Sequence, residues 1–260
     1  MKHSVQLGRK VAWVGLGLGL LLAGGLPARA AEPGLKISPA VVQIGTFFNG
    51  QTVTVSGTIP AGAQAVLEVM GTSAEEHFMR KGRRGPLWMN VGEIKVEDAP
   101  SLYLVMSSAK ELLTAAPAEA TWGYRALEKR IVFSGKIEPS ERQEFLKQFL
   151  ELKESEHIYS SRPGDLKVGA AAGEASPVTA SFPLPTNIKP GTYKICLSVI
   201  ADGKAVSNTC TDFTVELVGF PDLMAKLAYQ HGVAYGVLAV VLAIVVGFAM
   251  GFLFKGGGGH

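Results

Sequence analysis

Residues 233–254 read VAYGVLAVVLAIVVGFAMGFLF, a run with no charge and no proline. At a rise of about 1.5 Å per residue, a helix of this length crosses a hydrocarbon core of roughly 30 Å. A helix packed on a soluble core shows a polar stripe with a period of about 3.6 residues, and none is present. The stretch is therefore expected to be a transmembrane helix, with residues 255–260 as a short cytoplasmic tail. Lys255, directly after the run, agrees with the excess of basic residues on cytoplasmic flanks. This reading organises the rest of the chain as a folded unit tethered by its C-terminal end.

The start of the chain sets the side of the membrane. Lys2, Arg9 and Lys10 precede an apolar run at 11–22, and Ala28-Arg29-Ala30 follows as an A-x-A pattern. Residues 1–30 thus read as a secretory signal peptide. An uncleaved second anchor is the alternative, although the run is short for a span. Either way the expected location is the bacterial inner membrane, single-pass, with the bulk of the chain in the periplasm. The full chain has 25 Lys and Arg against 22 Asp and Glu. Lys2, Arg9, Lys10 and Arg29 fall in the signal, which leaves 21 bases against 22 acids, a balance of −1. The basicity belongs to the signal, so no nucleic-acid partner is expected.

Residues 31–219 remain for an exported domain. The segment at 35–44 is apolar and interrupted by Pro39, which confines it to a sheet edge or a switch between sheets. Asn49-Gly50 and Pro60-Ala61-Gly62 mark turns around 52–59 (TVTVSGTI), which alternates with period two. Residues 65–70, 88–96 and 101–107 continue as strands. Helix formers then take over at 110–113 and 118–130. Pro139-Ser140-Glu141 opens a helix over 142–155, with Phe145, Leu146, Phe149, Leu150 and Leu152 at helical spacing. Residues 162–176 read as loop, and strands return at 178–184, 192–200 and 205–218.

The fold class expected is mainly β: an immunoglobulin-like β-sandwich with a helical insertion at about 111–165, plus the C-terminal transmembrane helix. In the stretch Lys189-Pro190-Gly191-Thr192-Tyr193, the tyrosine stands where such sandwiches pin a corner. Two small β domains joined by helices are the alternative. Residues 220–232, with Phe220, Leu223, Met224, Leu227 and Ala228 on one face, form either an amphipathic helix at the membrane surface or a linker helix.

Cys196 and Cys210 lie in neighbouring strands around Asp202-Gly203, a hairpin signal. A three-residue loop over 202–204 pairs Ala201 with Ala205 and sets Cys196 opposite Cys210; a two-residue turn shifts them one place apart. A structural disulfide is the favoured reading, because a redox pair sits as C-x-x-C at a helix start.

Taken together, Ile37-Ser38-Pro39, Arg80-Lys81-Gly82-Arg83 before Trp88-Met89-Asn90, Pro100-Ser101-Leu102-Tyr103, Glu144-Phe145, Pro190-Gly191-Thr192-Tyr193, Asp202-Gly203 and Tyr235-Gly236 resemble an alphaproteobacterial-type transmembrane protein family of unknown function. The resemblance covers nearly all of the chain after the signal. It implies an exported domain with one C-terminal anchor, in members often encoded beside permeases of the sulfite-exporter type. It brings no activity or catalytic residues, and the cysteine pair and the Gly-rich tail are not part of it.

Four groups of residues remain. Ala239, Ala243, Gly247 and Gly251 recur every four residues in the span, a small-xxx-small stripe that lets another helix approach, either a second copy or a multi-span protein. Arg80, Lys81, Arg83 and Arg84, with Trp88 behind them, form a basic hairpin tip. That tip is either a solvated turn or a contact for membrane lipid headgroups or an acidic loop. His77 and Met79, with Met70, Met89 and Met106 elsewhere, are chemically suited to copper, but methionines in apolar strands more often fill a core. Glu75-Glu76 and residues 154–156 read as solvated faces. No nucleophile elbow, zincin, Walker or Rossmann pattern occurs, so no enzyme activity, cofactor or metal is expected. The chain is expected to act as an anchored accessory protein. A periplasmic metal or redox handler using His77/Met79 or Cys196/Cys210 is the alternative, and a hydrolase of an envelope substrate the third.

Overall fold

The computed structural model describes residues 34–115 and 119–254. The expected signal peptide and the tail after residue 254 lie outside the described residues. In chain order the strands are β1 (Lys36–Ser38), β2 (Val41–Ile44), β3 (Gln51–Pro60), β4 (Gln64–Met70), β5 (Ser73–Arg84), β6 (Leu87–Pro100) and β7 (Tyr103–Ser107). Helices α1 (Glu111–Thr114) and α2 (Gly123–Arg130) follow, then β8 (Val132–Gly135), a 3-10 turn at Pro139–Glu141 and α3 (Arg142–Ser155). Strands β9 (Tyr159–Pro163), β10 (Lys167–Val168), β11 (Ala175–Leu184), β12 (Gly191–Ala201) and β13 (Lys204–Leu217) lead to α4 (Phe220–Gln230) and α5 (Gly232–Phe254).

The described residues form three sheets. A front sheet has the order β1-β3-β11-β10, a middle sheet β2-β13-β12-β4-β7-β9, and a flanking sheet β5-β6-β8. Pro39 marks the switch between sheets expected of it: β1 runs antiparallel to β3 in the front sheet, and β2 runs parallel to β13 in the middle one.

Period-two patterning builds the first core. In β11, Ser176, Val178, Ala180, Phe182 and Leu184 are buried and the alternating Pro177, Thr179, Ser181 and Pro183 are exposed. They face Tyr193, Ile195 and Leu197 of β12 and Phe213 and Val215 of β13. Each such apolar side chain contributes roughly 1.5–3 kcal/mol on burial.

The other face of the middle sheet is covered too. Val66, Tyr103, Val105 and Ile200 pack with Val96 and Phe133 of the flanking sheet and with Leu112, Trp122, Leu127, Leu146 and Phe149 of the helical segment. A strand with both faces buried loses its alternation, and β7 is buried at every position.

This layering corrects the expected boundaries. The strand at 88–96 does not extend the sandwich; as part of β6 it pairs with β5 and β8 in the flanking sheet. The helical insertion does not run to 165, because its last helix ends at Ser155 and β9 rejoins the middle sheet parallel to β7. Two independent β domains are also not what forms, since both cores share the middle sheet.

The β12–β13 hairpin reaches its register differently from expectation. Ala201 pairs with Lys204 across a two-residue turn, in which Asp202 and Gly203 have φ of 51° and 72°. Positive φ at both turn positions matches the twist of hairpin strands. A bulge between Val199 and Ile200 then restores the one-residue offset, so Cys196 does oppose Cys210.

Candidate functional site

α5 is the first functional element. It carries a mean hydropathy of 2.9, and none of its side chains is buried within the chain. Ala239, Ala243, Gly247 and Gly251 lie on it at exposed positions, and a Cβ added at Gly247 or Gly251 meets nothing within 4 Å. The stripe is thus open along its length. α4, Phe220–Gln230, precedes it where a helix is expected at 220–232, with Pro221 in its first turn and an Asp222–Lys226 pair at 2.7 Å. The chain leaves helical geometry at His231, with φ −131° and ψ 50°, so α4 and α5 are separate helices.

The second element is the β5–β6 hairpin. Its strands close on Gly85-Pro86, where Gly85 has a φ of 64°. Only residues 94–97 of β6 pair with β8, so the hairpin projects beyond its own sheet. A bulge between Arg80 and Lys81 in the register sets the base of this projection. Gly82 is needed there, because a Cβ at that position comes within 2.7 Å of Val91.

The four basic residues of the tip divide. Arg80 makes two hydrogen bonds to Glu141, 2.8 Å from Nη1 and 2.6 Å from Nη2, and clamps the hairpin to the turn before α3. This bond, before charge attraction, holds the Glu141 carboxyl below and the Arg80 guanidinium above their ordinary values. Arg83 donates from Nε to the carbonyl of Gly85 at 3.0 Å. Lys81, Arg83 and Arg84 are exposed on one strand, and Leu87, Trp88 and Met89 are exposed on the other. Under the hairpin, a cavity of about 580 Å³ is lined by Phe78, Ile94, Ile137 and Phe145, with Arg80, Lys81 and Glu141 at its rim.

The third element is the cysteine pair. Cys196 and Cys210 are directly opposed, with their sulfurs at the disulfide distance of 2.06 Å.

The remaining candidates do not converge. His77 faces two carboxylates, Glu93 at 2.6 Å from Nδ1 and Glu75 at 3.5 Å from Nε2, and Glu75 also pairs with Lys95 at 3.0 Å. Met106 lies in the first core and Met70 contacts Arg130 on the middle sheet, so neither joins His77 and Met79. Glu76 is not part of a solvated face. It pairs at 2.6 Å with Lys153, whose buried ammonium stands 5.3 Å above the Phe149 ring. Glu154 likewise accepts from the Tyr124 hydroxyl at 2.6 Å.

Glu68 has no counterpart among the expected residues. It is buried in the second core, where it accepts from the Tyr103 hydroxyl at 2.5 Å and from the Gly123 N–H at the start of α2 at 3.1 Å. Burial raises its carboxyl above the ordinary value, against the lowering effect of those two donors. A lone acid inside the apolar run AVLEVM was the available signal. The arrangement ties the helical segment to the middle sheet.

Comparison with known proteins identifies a family. The family described as "Putative transmembrane protein (Alph_Pro_TM)" matches residues 34–256. No curated protein and no solved structure matches. The match spans most of the sequence, and the chain belongs to this transmembrane family.

Proposed function

We propose that this member of the family is a single-pass accessory protein of the bacterial inner membrane, with its β unit in the periplasm. α5 holds that unit beside a membrane-embedded partner and contacts the partner through the Ala239–Ala243–Gly247–Gly251 face. The observation that carries the reading is α5 itself, a helix of 23 residues with no apolar side chain covered by the rest of the chain. Close helix approach across small residues is the main source of specific association in lipid, where apolar burial offers little. The partner is a second copy or a multi-span permease of the sulfite-exporter type.

We read the periplasmic unit as an immunoglobulin-like sandwich. Supporting this are the facing orders β1-β3-β11-β10 and β2-β13-β12-β4 and the Tyr193 hydroxyl, which donates to the Lys189 carbonyl at 2.7 Å.

The test uses Gly247→Cys and Gly251→Cys in native membranes with a thiol crosslinker, the native cysteines being paired with each other. A trapped homodimer or a larger adduct is the expected result; a chain that stays monomeric at both positions defeats the reading. A reporter fused after Phe254 is expected inside the cell, and finding it outside reverses the orientation.

A further inference from the structure

We propose that the tip of the β5–β6 hairpin is a second membrane contact, a wedge that seats in the headgroup layer of an anionic bilayer. It rests on the anchored reading above, since the tether keeps the folded unit beside a lipid surface.

The tip combines two properties that seldom meet on a water-facing loop. Leu87, Trp88 and Met89 are consecutive and 66%, 73% and 46% exposed. A large side chain left uncovered in such a run marks an interaction site. Indole is also the side chain that favours the boundary between water and acyl chains. Lys81, Arg83 and Arg84 stand on the facing strand, and no acid occurs between Met79 and Asn90. Three uncompensated cations attract anionic headgroups.

Register decides how these groups are presented. Arg83 pairs with Trp88, Arg84 with Leu87 and Gly82 with Met89, so one face of the ribbon carries Lys81 and Arg83 beside Trp88 and the other Arg84 beside Leu87 and Met89. Either face therefore offers apolar surface to the acyl boundary and charge to phosphate. The fourth basic residue, Arg80, pairs with Glu141 at the base of the projection and is not part of the tip. An acidic protein loop satisfies the cations but leaves Leu87 and Trp88 in water, which favours lipid.

The test follows Trp88 in the full chain, reconstituted in vesicles of phosphatidylcholine with or without phosphatidylglycerol. A Trp13→Phe background leaves exposed Trp88 and Trp122, which is 2% exposed, as the two indoles. Brominated lipids are expected to quench Trp88, and acrylamide to lose access to it, only when phosphatidylglycerol is present. Added salt reverses this in the unaltered chain, a measurement that needs no variant. The triple change Lys81→Glu, Arg83→Glu, Arg84→Glu is expected to cut the lipid-protected fraction at least about fivefold.

Trp88 open to acrylamide in both lipids, protection equal in both, or protection already present in detergent without lipid each overturns the proposal. The last outcome points instead to a protein covering the tip. Carbonate extraction separates the two readings. A chain washed off the vesicles breaks the anchored reading, and one that stays while Trp88 remains in water breaks only this one.

Discussion

The β12–β13 and β5–β6 hairpins are built on one plan and end in opposite environments. Each joins two long strands through a two-residue turn and carries a bulge. In β12, every residue from Ile195 to Ile200 is buried, because one face meets the front sheet and the other meets the second core. In β5, no residue is fully buried, and only Glu76, Phe78 and Gly82 are partly covered. The difference lies in the side chains and not in the pairing: ladder hydrogen bonds form equally well in both. What a hairpin does afterwards is set by the apolar area it can hide. One hairpin becomes the centre of the fold, and the other is left as an arm.

The contrast can be broken most sharply at its aromatic residues. Phe213 is stacked 5.2 Å from Tyr193 in the first core. Phe213→Ala is expected to cost about 3–5 kcal/mol in urea unfolding of the detergent-solubilised chain. Trp88→Ala on the arm should stay within about 0.5 kcal/mol in the same measurement. Comparable losses at both positions would mean that the arm is packed against something.

Next in size is the cross-strand cysteine pair, separated by 14 residues. Cys196→Ser with Cys210→Ser is expected to lower stability by about 3 kcal/mol, through the unfolded chain's regained freedom. Thermal scans of oxidised, reduced and doubly substituted protein would check it.

Glu68 sits opposite Cys196 in the middle sheet, beneath the same hairpin. Glu68→Ala leaves the Tyr103 hydroxyl without its acceptor and is expected to cost about 1–3 kcal/mol. Because burial raises the Glu68 carboxyl above its ordinary value of 4.5, the folded state keeps a proton that the unfolded state has released. This contribution is fully present below 4.5 and is lost as pH rises through the raised folded value. Glu68→Gln should flatten that part of the stability–pH curve, and an unchanged slope would count against it.

The smallest effect belongs to the clamp. Arg80→Ala or Glu141→Ala should leave the unfolding midpoint in place and speed amide exchange through residues 73–100. Exchange that rises equally in β12 and β13 would contradict a local role.

The sandwich strands were legible where one face is wet. Residues 52–59 and 178–184 alternate, and both are strands in the front sheet. The terminal span, the hairpin at Asp202-Gly203 and the strand switch at Pro39 also stood out, since each rests on a local rule. The opposition of Cys196 and Cys210 was reached through the wrong turn, because a bulge at Val199 has no sequence mark. β5 was implied by the hairpin tip at residues 80–84 but given no extent: SAEEHFMRKGRR is polar, and its pairing with β6 is not announced by any apolar stripe. β9 was lost in the insertion, since joining an edge beside β7 depends on a neighbour more than fifty positions earlier in the sequence. Within the candidate site, Trp88 and the basic residues could be named from sequence. That Arg80 is taken by Glu141 could not, because the pairing depends on how the helical segment packs.

The middle sheet interleaves early and late parts of the chain: β4 lies between β7 and β12, and β2 lies beside β13. An emerging polypeptide therefore holds two waiting edges until residues 191–217 have been made. No earlier stopping point completes the first core, to which β12 and β13 supply Tyr193, Ile195, Leu197, Phe213 and Val215. Synthesis cut short anywhere before β13 should leave material for proteases rather than a smaller working protein, and only the short helix α4 separates the strand that completes the job from the membrane helix.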